Sequence, residues 1–144
     1  MPRFALVVEY DGSAFNGWQL QRGSSVRSVQ GELERALSQV ANSPLRLQCA
    51  GRTDTGVHAT NQVVHFDSEV ARSEKAWVLG ANANLPADVA VRSAKSVDGD
   101  FHARFSAQSR RYRYLIYNRA VRSALAPQYL TWVRQPLDVN AMHN

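Results

Sequence analysis

The densest chemistry in the chain lies in eight residues, Gly51-Arg-Thr-Asp-Thr-Gly-Val-His58. One carboxylate, Asp54, stands between two threonines, with Arg52 two residues before it and Gly51 and Gly56 framing the run. Small residues let a loop backbone approach a ligand closely. A carboxylate held there can serve as a nucleophile or a base, with Arg52 near enough to touch the same substrate. The glycine spacing superficially matches a phosphate-cradling loop. That loop needs Lys and then Ser or Thr after its second glycine, where this chain has Val57 and His58, so the nucleotide-binding reading is poor. The competing reading makes Asp54 a turn residue.

Two further segments carry side chains suited to a polyanion. After Tyr10-Asp-Gly12, a long polar loop offers Phe15, Trp18, Gln19, Gln21 and Arg22 for stacking on bases or hydrogen bonding to them, unless Trp18 simply pins the loop to the core. Later, Asp100-Phe-His-Ala-Arg-Phe-Ser-Ala107 and Arg110-Arg-Tyr-Arg-Tyr114 mix aromatics with arginines, the composition of a nucleic-acid surface. In the competing reading the tyrosines are core and the arginines a solvated rim. No metal site is expected, because His58, His65, His102 and His143 are scattered and no Cys/His pair has ligand spacing. Nothing marks a nucleophile elbow for a Ser-His-Asp triad.

The charge distribution points the same way. The 144 residues carry 17 basic and 12 acidic side chains, a net of +5. Lys75 and Lys95 are the only lysines, so nearly all of the positive charge is arginine, whose planar fork suits phosphates and bases. Residues 101–144 hold seven arginines against one acid, Asp138. A basic end on an otherwise balanced chain suggests a polyanion partner, with nucleic acid the first candidate; the competing reading is a solvated basic face and an arginine-rich genome. No run of 18 apolar residues exists to span a membrane. A single cysteine, Cys49, and an amino terminus without a signal-peptide pattern make the cytoplasm the expected compartment.

These residues need elements to position them. Residues 4–10 (FALVVEY) read as a buried strand. Val29, Leu33, Ala36, Leu37 and Val40 fall on one face of a helix that Ser28 can cap. Alternation at Leu45, Leu47 and Cys49 predicts a second strand, and residues 62–66 (QVVHF) a third. A second helix capped by Ser73 stops before Leu85-Pro86, and 89–97 and 111–117 read as the fourth and fifth strands. This order predicts an α+β fold, a ferredoxin-like βαββαβ sheet with both helices on one face. Pro136-Leu-Asp138 reads as the start of a helix with room for about two turns before Asn144, so residues 1–144 are expected to be a fragment that stops near the start of a helix around 138.

Six segments taken in order carry a specific resemblance. They are Tyr10-Asp-Gly with Gly17-Trp-Gln, Arg27-Ser-Val-Gln30, Gly51-Arg-Thr-Asp-Thr-Gly-Val-His58, Asn82-Ala-Asn-Leu-Pro86, Phe101-His-Ala-Arg-Phe-Ser106, and Arg111-Tyr-Arg-Tyr-Leu-Ile-Tyr-Asn118. Together they resemble the amino-terminal half of the TruA family of tRNA pseudouridine synthases. The resemblance implies one half of a two-half fold and a cofactor-free isomerase that is a homodimer. Its implied reaction converts uridine to pseudouridine at positions 38 to 40 of the tRNA anticodon stem-loop. Carried over by motif, Asp54 corresponds to the catalytic aspartate, Tyr112 to the tyrosine that packs on the target uracil, and Arg52 to the arginine that fills the space left by the displaced base. Phe101, His102, Ala103, Arg104 and Phe105 correspond to a tRNA-contacting loop, to which Arg110 and Arg111 add charge. The family's cleft has a second wall from its other half, including a basic partner for the aspartate, so the chain alone is expected to show little activity. The alternatives are a non-catalytic RNA-binding module, against which stands the lack of an RNP1-like run, and a nucleoside or nucleotide hydrolase using Asp54.

Overall fold

A computed structural model describes residues 1–144. β1 (Arg3–Tyr10), α1 (Val29–Ala41), β2 (Gln48–Cys49), β3 (Ala59–Asp67), α2 (Glu74–Asn84) and β4 (Val89–Val97) follow one another in the expected βαββαβ order. The sheet runs β2-β3-β1-β4, with every neighbouring pair antiparallel. This is the ferredoxin-like arrangement, with the first and third strands in the middle.

Strand alternation sorts the two faces. In β1, Phe4, Leu6, Val8 and Tyr10 are buried, while Ala5 and Val7 are half-buried on the opposite face. Both helices cover the Phe4–Leu6–Val8 side. α1 contributes Val29, Leu33, Ala36 and Leu37, and α2 contributes Trp77 and Ala81. Phe4, Phe66 and Trp77 pack ring against ring with centroids 4.9–5.8 Å apart. Each such side chain, fully buried, stabilises the fold by roughly 1.5–3 kcal/mol. Serines start both helices as expected. Ser28 Oγ accepts from Gly31 N–H at 3.0 Å, and Ser73 Oγ from Ala76 N–H at 3.0 Å. Neither helix, nor any other in the chain, is long and apolar enough to cross a membrane.

The chain divides into two compact units, Met1–Ser109 and Arg110–Asn144. The second unit is small. Its β5 (Ile116–Asn118) and β6 (Thr131–Val133) pair in parallel, and α3 (Val139–His143) follows. Asn118 ties the unit together: its amide donates to Val133 O and Gln135 O and accepts from Leu137 N–H. Asp138 caps α3 through Ala141 N–H, as its position in the sequence predicts.

One strand departs from expectation. Residues 111–115 are not a strand, and pairing begins only at Ile116. The β-favouring tyrosines satisfy propensity, but a strand also needs a ladder partner, and β6 reaches only from Ile116 to Asn118. Arg110, Arg111 and Arg113 stand close together in sequence there, and every residue from 110 to 116 is exposed.

Candidate active site

The loop after β2 alternates like a short strand. Arg52 and Asp54 are exposed, while Thr53 between them turns inward. There Thr53 Oγ1 lies 2.8 Å from the Tyr10 hydroxyl at the end of β1. Thr53 O accepts from Trp18 N–H at 2.9 Å. Gln62, on β3, donates from Nε2 to Gly51 O at the loop's first residue and to the Tyr10 hydroxyl at 3.4 Å. Asp54 O accepts from Val57 N–H at 3.1 Å, closing a turn, and Gly56 takes φ 81°, a conformation that favours glycine. Asp54 is thus a turn residue and an outward-facing carboxylate at once. It enters none of the chain's ion pairs.

The 11–28 loop packs directly against the Asp54 loop. A Cβ on Gly12 would overlap the Val57 carbonyl, and one on Gly17, where φ is 88°, would come within 2.9 Å of Thr53 O. Gly12 N–H also donates to His58 Nδ1 at 2.9 Å. Phe15 and Trp18 are buried in the core, so they are not stacking platforms for bases, whereas Gln19, Gln21 and Arg22 are exposed. Arg27 braces the loop, pairing in a fork with Asp88 at 3.0 and 3.2 Å and lying 4.2 Å over the Phe15 ring.

Residues 101–105 form a second loop with an inner and an outer set. Ala103 is buried, and its N–H donates to His65 Nδ1 at 3.0 Å. Arg3 donates to Gly99 O at 2.8 Å and Phe101 O at 2.6 Å while holding Asp67 by two hydrogen bonds at 2.8 and 2.9 Å. His102 meets the His65 ring edge-on at 4.6 Å. The outer set is Arg104 and Phe105. Phe105 is 76% exposed, with the Arg104 guanidinium 5.5 Å from its ring. The anchors Arg3 and His65 are legible in sequence only as a strand residue and a scattered histidine, because their role depends on contacts about forty to a hundred residues away.

Burial sets three proton affinities in this unit. It pushes the Tyr10 phenol up, further than the hydrogen bonds with Thr53 and Gln62 pull it down. It pushes the His65 imidazole down, and the nearby Arg3 and His102 add to this. Burial also raises the Cys49 thiol, with Arg52 opposing it in part, which keeps this cysteine a poor nucleophile.

Arg110, Arg111 and Tyr112 belong to the second unit. All three are exposed, Tyr112 by 76%. The tyrosines of this segment are therefore not core. Tyr114, equally exposed, accepts from Thr131 Oγ1 at 2.9 Å.

A ferredoxin-like sheet that presents one carboxylate and one arginine on an interlocked loop agrees with the sequence match. Residues 6–106 match the family described as tRNA pseudouridine synthase, and the chain belongs to that family. Among its relatives are proteins named tRNA pseudouridine synthase A. The one from Cronobacter sakazakii is 58% identical over 141 residues, which is 98% of this chain and 52% of that protein. Those from Salmonella paratyphi B and Salmonella newport are each 57% identical over the same shares. The chain spans about half the length of the curated relatives it matches.

Proposed function

We propose that this chain is the amino-terminal half of a tRNA pseudouridine synthase, and that Asp54 is its catalytic carboxylate. The substrate is a uridine at positions 38 to 40 of the tRNA anticodon stem-loop, and the working enzyme is a cytoplasmic homodimer that needs no cofactor. The observation that carries this reading is the Asp54 loop. It presents Asp54 and Arg52 outward while Thr53 is held from behind, inside a segment that matches the family.

The reaction breaks the N1–C1′ glycosidic bond, turns the uracil and joins its C5 to C1′, after which the C5 proton is lost and N1 gains one. A stacked base cannot react, so it is flipped out at a cost of a few kcal/mol. Arg52 fills the gap and offsets part of that cost. Cleavage develops oxocarbenium-like charge at C1′, which a carboxylate stabilises or captures as in glycosidases. A single carboxylate fits a reaction in which the base leaves and returns without water. Tyr112 stacks on the loosened uracil. Arg104 and Phe105, from the outer side of the loop that also holds Phe101, His102 and Ala103, contact the tRNA together with Arg110 and Arg111.

The test is tritium release from tRNA labelled at uracil C5, since forming the C5–C1′ bond expels that atom. The chain is run beside its reading frame extended past Asn144. Release by the extended protein, with little by the 144-residue chain, supports the proposal. Binding of tRNA without release would favour the RNA-binding module, and free uracil would favour a hydrolase.

A further inference from the structure

Gln62 is an amide in an apolar row. It pairs across the sheet with Val8 and shares that strand's buried face, beside Val64 and Phe66. Burying an amide there is costly unless its hydrogen bonds are made. Here its Nε2 meets Gly51 O and the Tyr10 hydroxyl, and the Tyr10 hydroxyl meets Thr53 Oγ1. Tyr10 itself is buried, with its ring 6.3 Å from Trp18, whose N–H holds Thr53 O. Two of the three residues that open the Asp54 loop are thus gripped from the core, and neither grip touches Asp54 or Arg52. Tyr10 and Gln62 reach the loop from adjacent strands, beside the β1–β3 register shift between Val8 and Tyr10.

We propose that Tyr10 and Gln62 are positioning residues for the reaction: through Thr53 and Gly51 they fix the backbone that aims the Asp54 carboxylate. This rests on Asp54 being the catalytic carboxylate. A part-buried hydroxyl pair suits the task, since its strength grows as water is excluded and an unmet partner is penalised. Displacing a reacting group by about 1 Å costs about a hundredfold in rate, so the lock acts on turnover more than on substrate affinity.

Two measurements test this. The first is amide hydrogen exchange on the 144-residue chain with Tyr10→Phe, Thr53→Val and Thr53→Ser. The two variants that lose the hydroxyl pair should speed exchange across 51–58 by about tenfold while β1 and β3 amides keep their protection. Thr53→Ser, which keeps a hydroxyl, should restore most of the protection. Unchanged exchange in both Tyr10→Phe and Thr53→Val would overturn the proposal, as would uniform loss of protection through the sheet. The second is steady-state kinetics on the extended protein. Tyr10→Phe and Thr53→Val should each lower kcat about tenfold with KM moved less than about twofold, and the double variant should be no worse than either single one. Additive losses, or a rise in KM alone, would count against the lock. If the unsubstituted extended protein does not turn over, the functional reading fails, while the exchange result still decides whether the lock exists.

Discussion

Two segments carry the residues proposed to meet the target base, and they are built in opposite ways. The 51–58 loop is short, framed by glycines and held from behind by Tyr10, Gln62, Trp18 and Gly12. Residues 110–115 are exposed throughout and belong to no strand. The contrast shows that the backbone carrying Asp54 is held by the fold of the first unit alone. The tyrosine segment instead carries its aromatic and charged side chains on exposed residues outside any strand. Preorganisation matters most for groups that stabilise developing charge. A stacking platform tolerates more freedom, because any base offers it a π face.

Several changes would break or sharpen this contrast. The largest effect on stability should come from Gly12→Ala. The added carbon overlaps the Val57 carbonyl, so the two interlocked loops must separate, at a cost of about 3 kcal/mol in unfolding free energy. Chemical denaturation checks this, and a change below about 0.5 kcal/mol would show that the interlock is loose. Next comes Tyr112→Ala. Stability should stay within about 0.5 kcal/mol because the side chain is exposed. The extended protein should lose about thirtyfold in kcat/KM through the missing stack. Lost stability with intact activity would reverse the contrast.

Smaller effects concern the 101–105 loop. His65 is held below its ordinary imidazole value by burial, with Arg3 and His102 adding and Asp67 opposing. As pH falls through the ordinary imidazole range, the unfolded chain takes up a proton that the folded chain does not. Stability should therefore be present above that range and decline below it. Tm followed against pH should show the decline, and His65→Gln should flatten it. The smallest effect is at Asp67, whose carboxyl Arg3 holds below its ordinary value. Its contribution is present above the ordinary carboxylate range and is lost as pH falls through the lowered folded value. At 40% side-chain exposure the pair is screened, so Asp67→Asn should cost less than about 1 kcal/mol, and less still in high salt.

Where structure is local, the sequence is a good guide. β4 spans the predicted residues 89–97, and both cap serines sit where their helices begin, because alternation and capping are decided within a few residues. Residues 111–115 show the limit of that reasoning. Tyr-rich composition favours a strand, yet the only partner is Thr131–Val133, and it meets Ile116–Asn118 instead. The site divides in the same way. Asp54 and Arg52 stand out from residue type and spacing within one loop. Tyr10, Gln62, Arg3 and His65 acquire their roles from partners brought close by sheet pairing, and no local pattern distinguishes them from ordinary strand residues.

The most direct test of the central claim pairs turnover with affinity in Asp54→Asn. The extended protein and its variant are compared for tritium release and for tRNA binding at the same salt. The variant should lose turnover by about a thousandfold while binding tRNA as well as the parent, or better through lost repulsion with phosphate. Undiminished release by the variant would contradict the claim that Asp54 performs the chemistry.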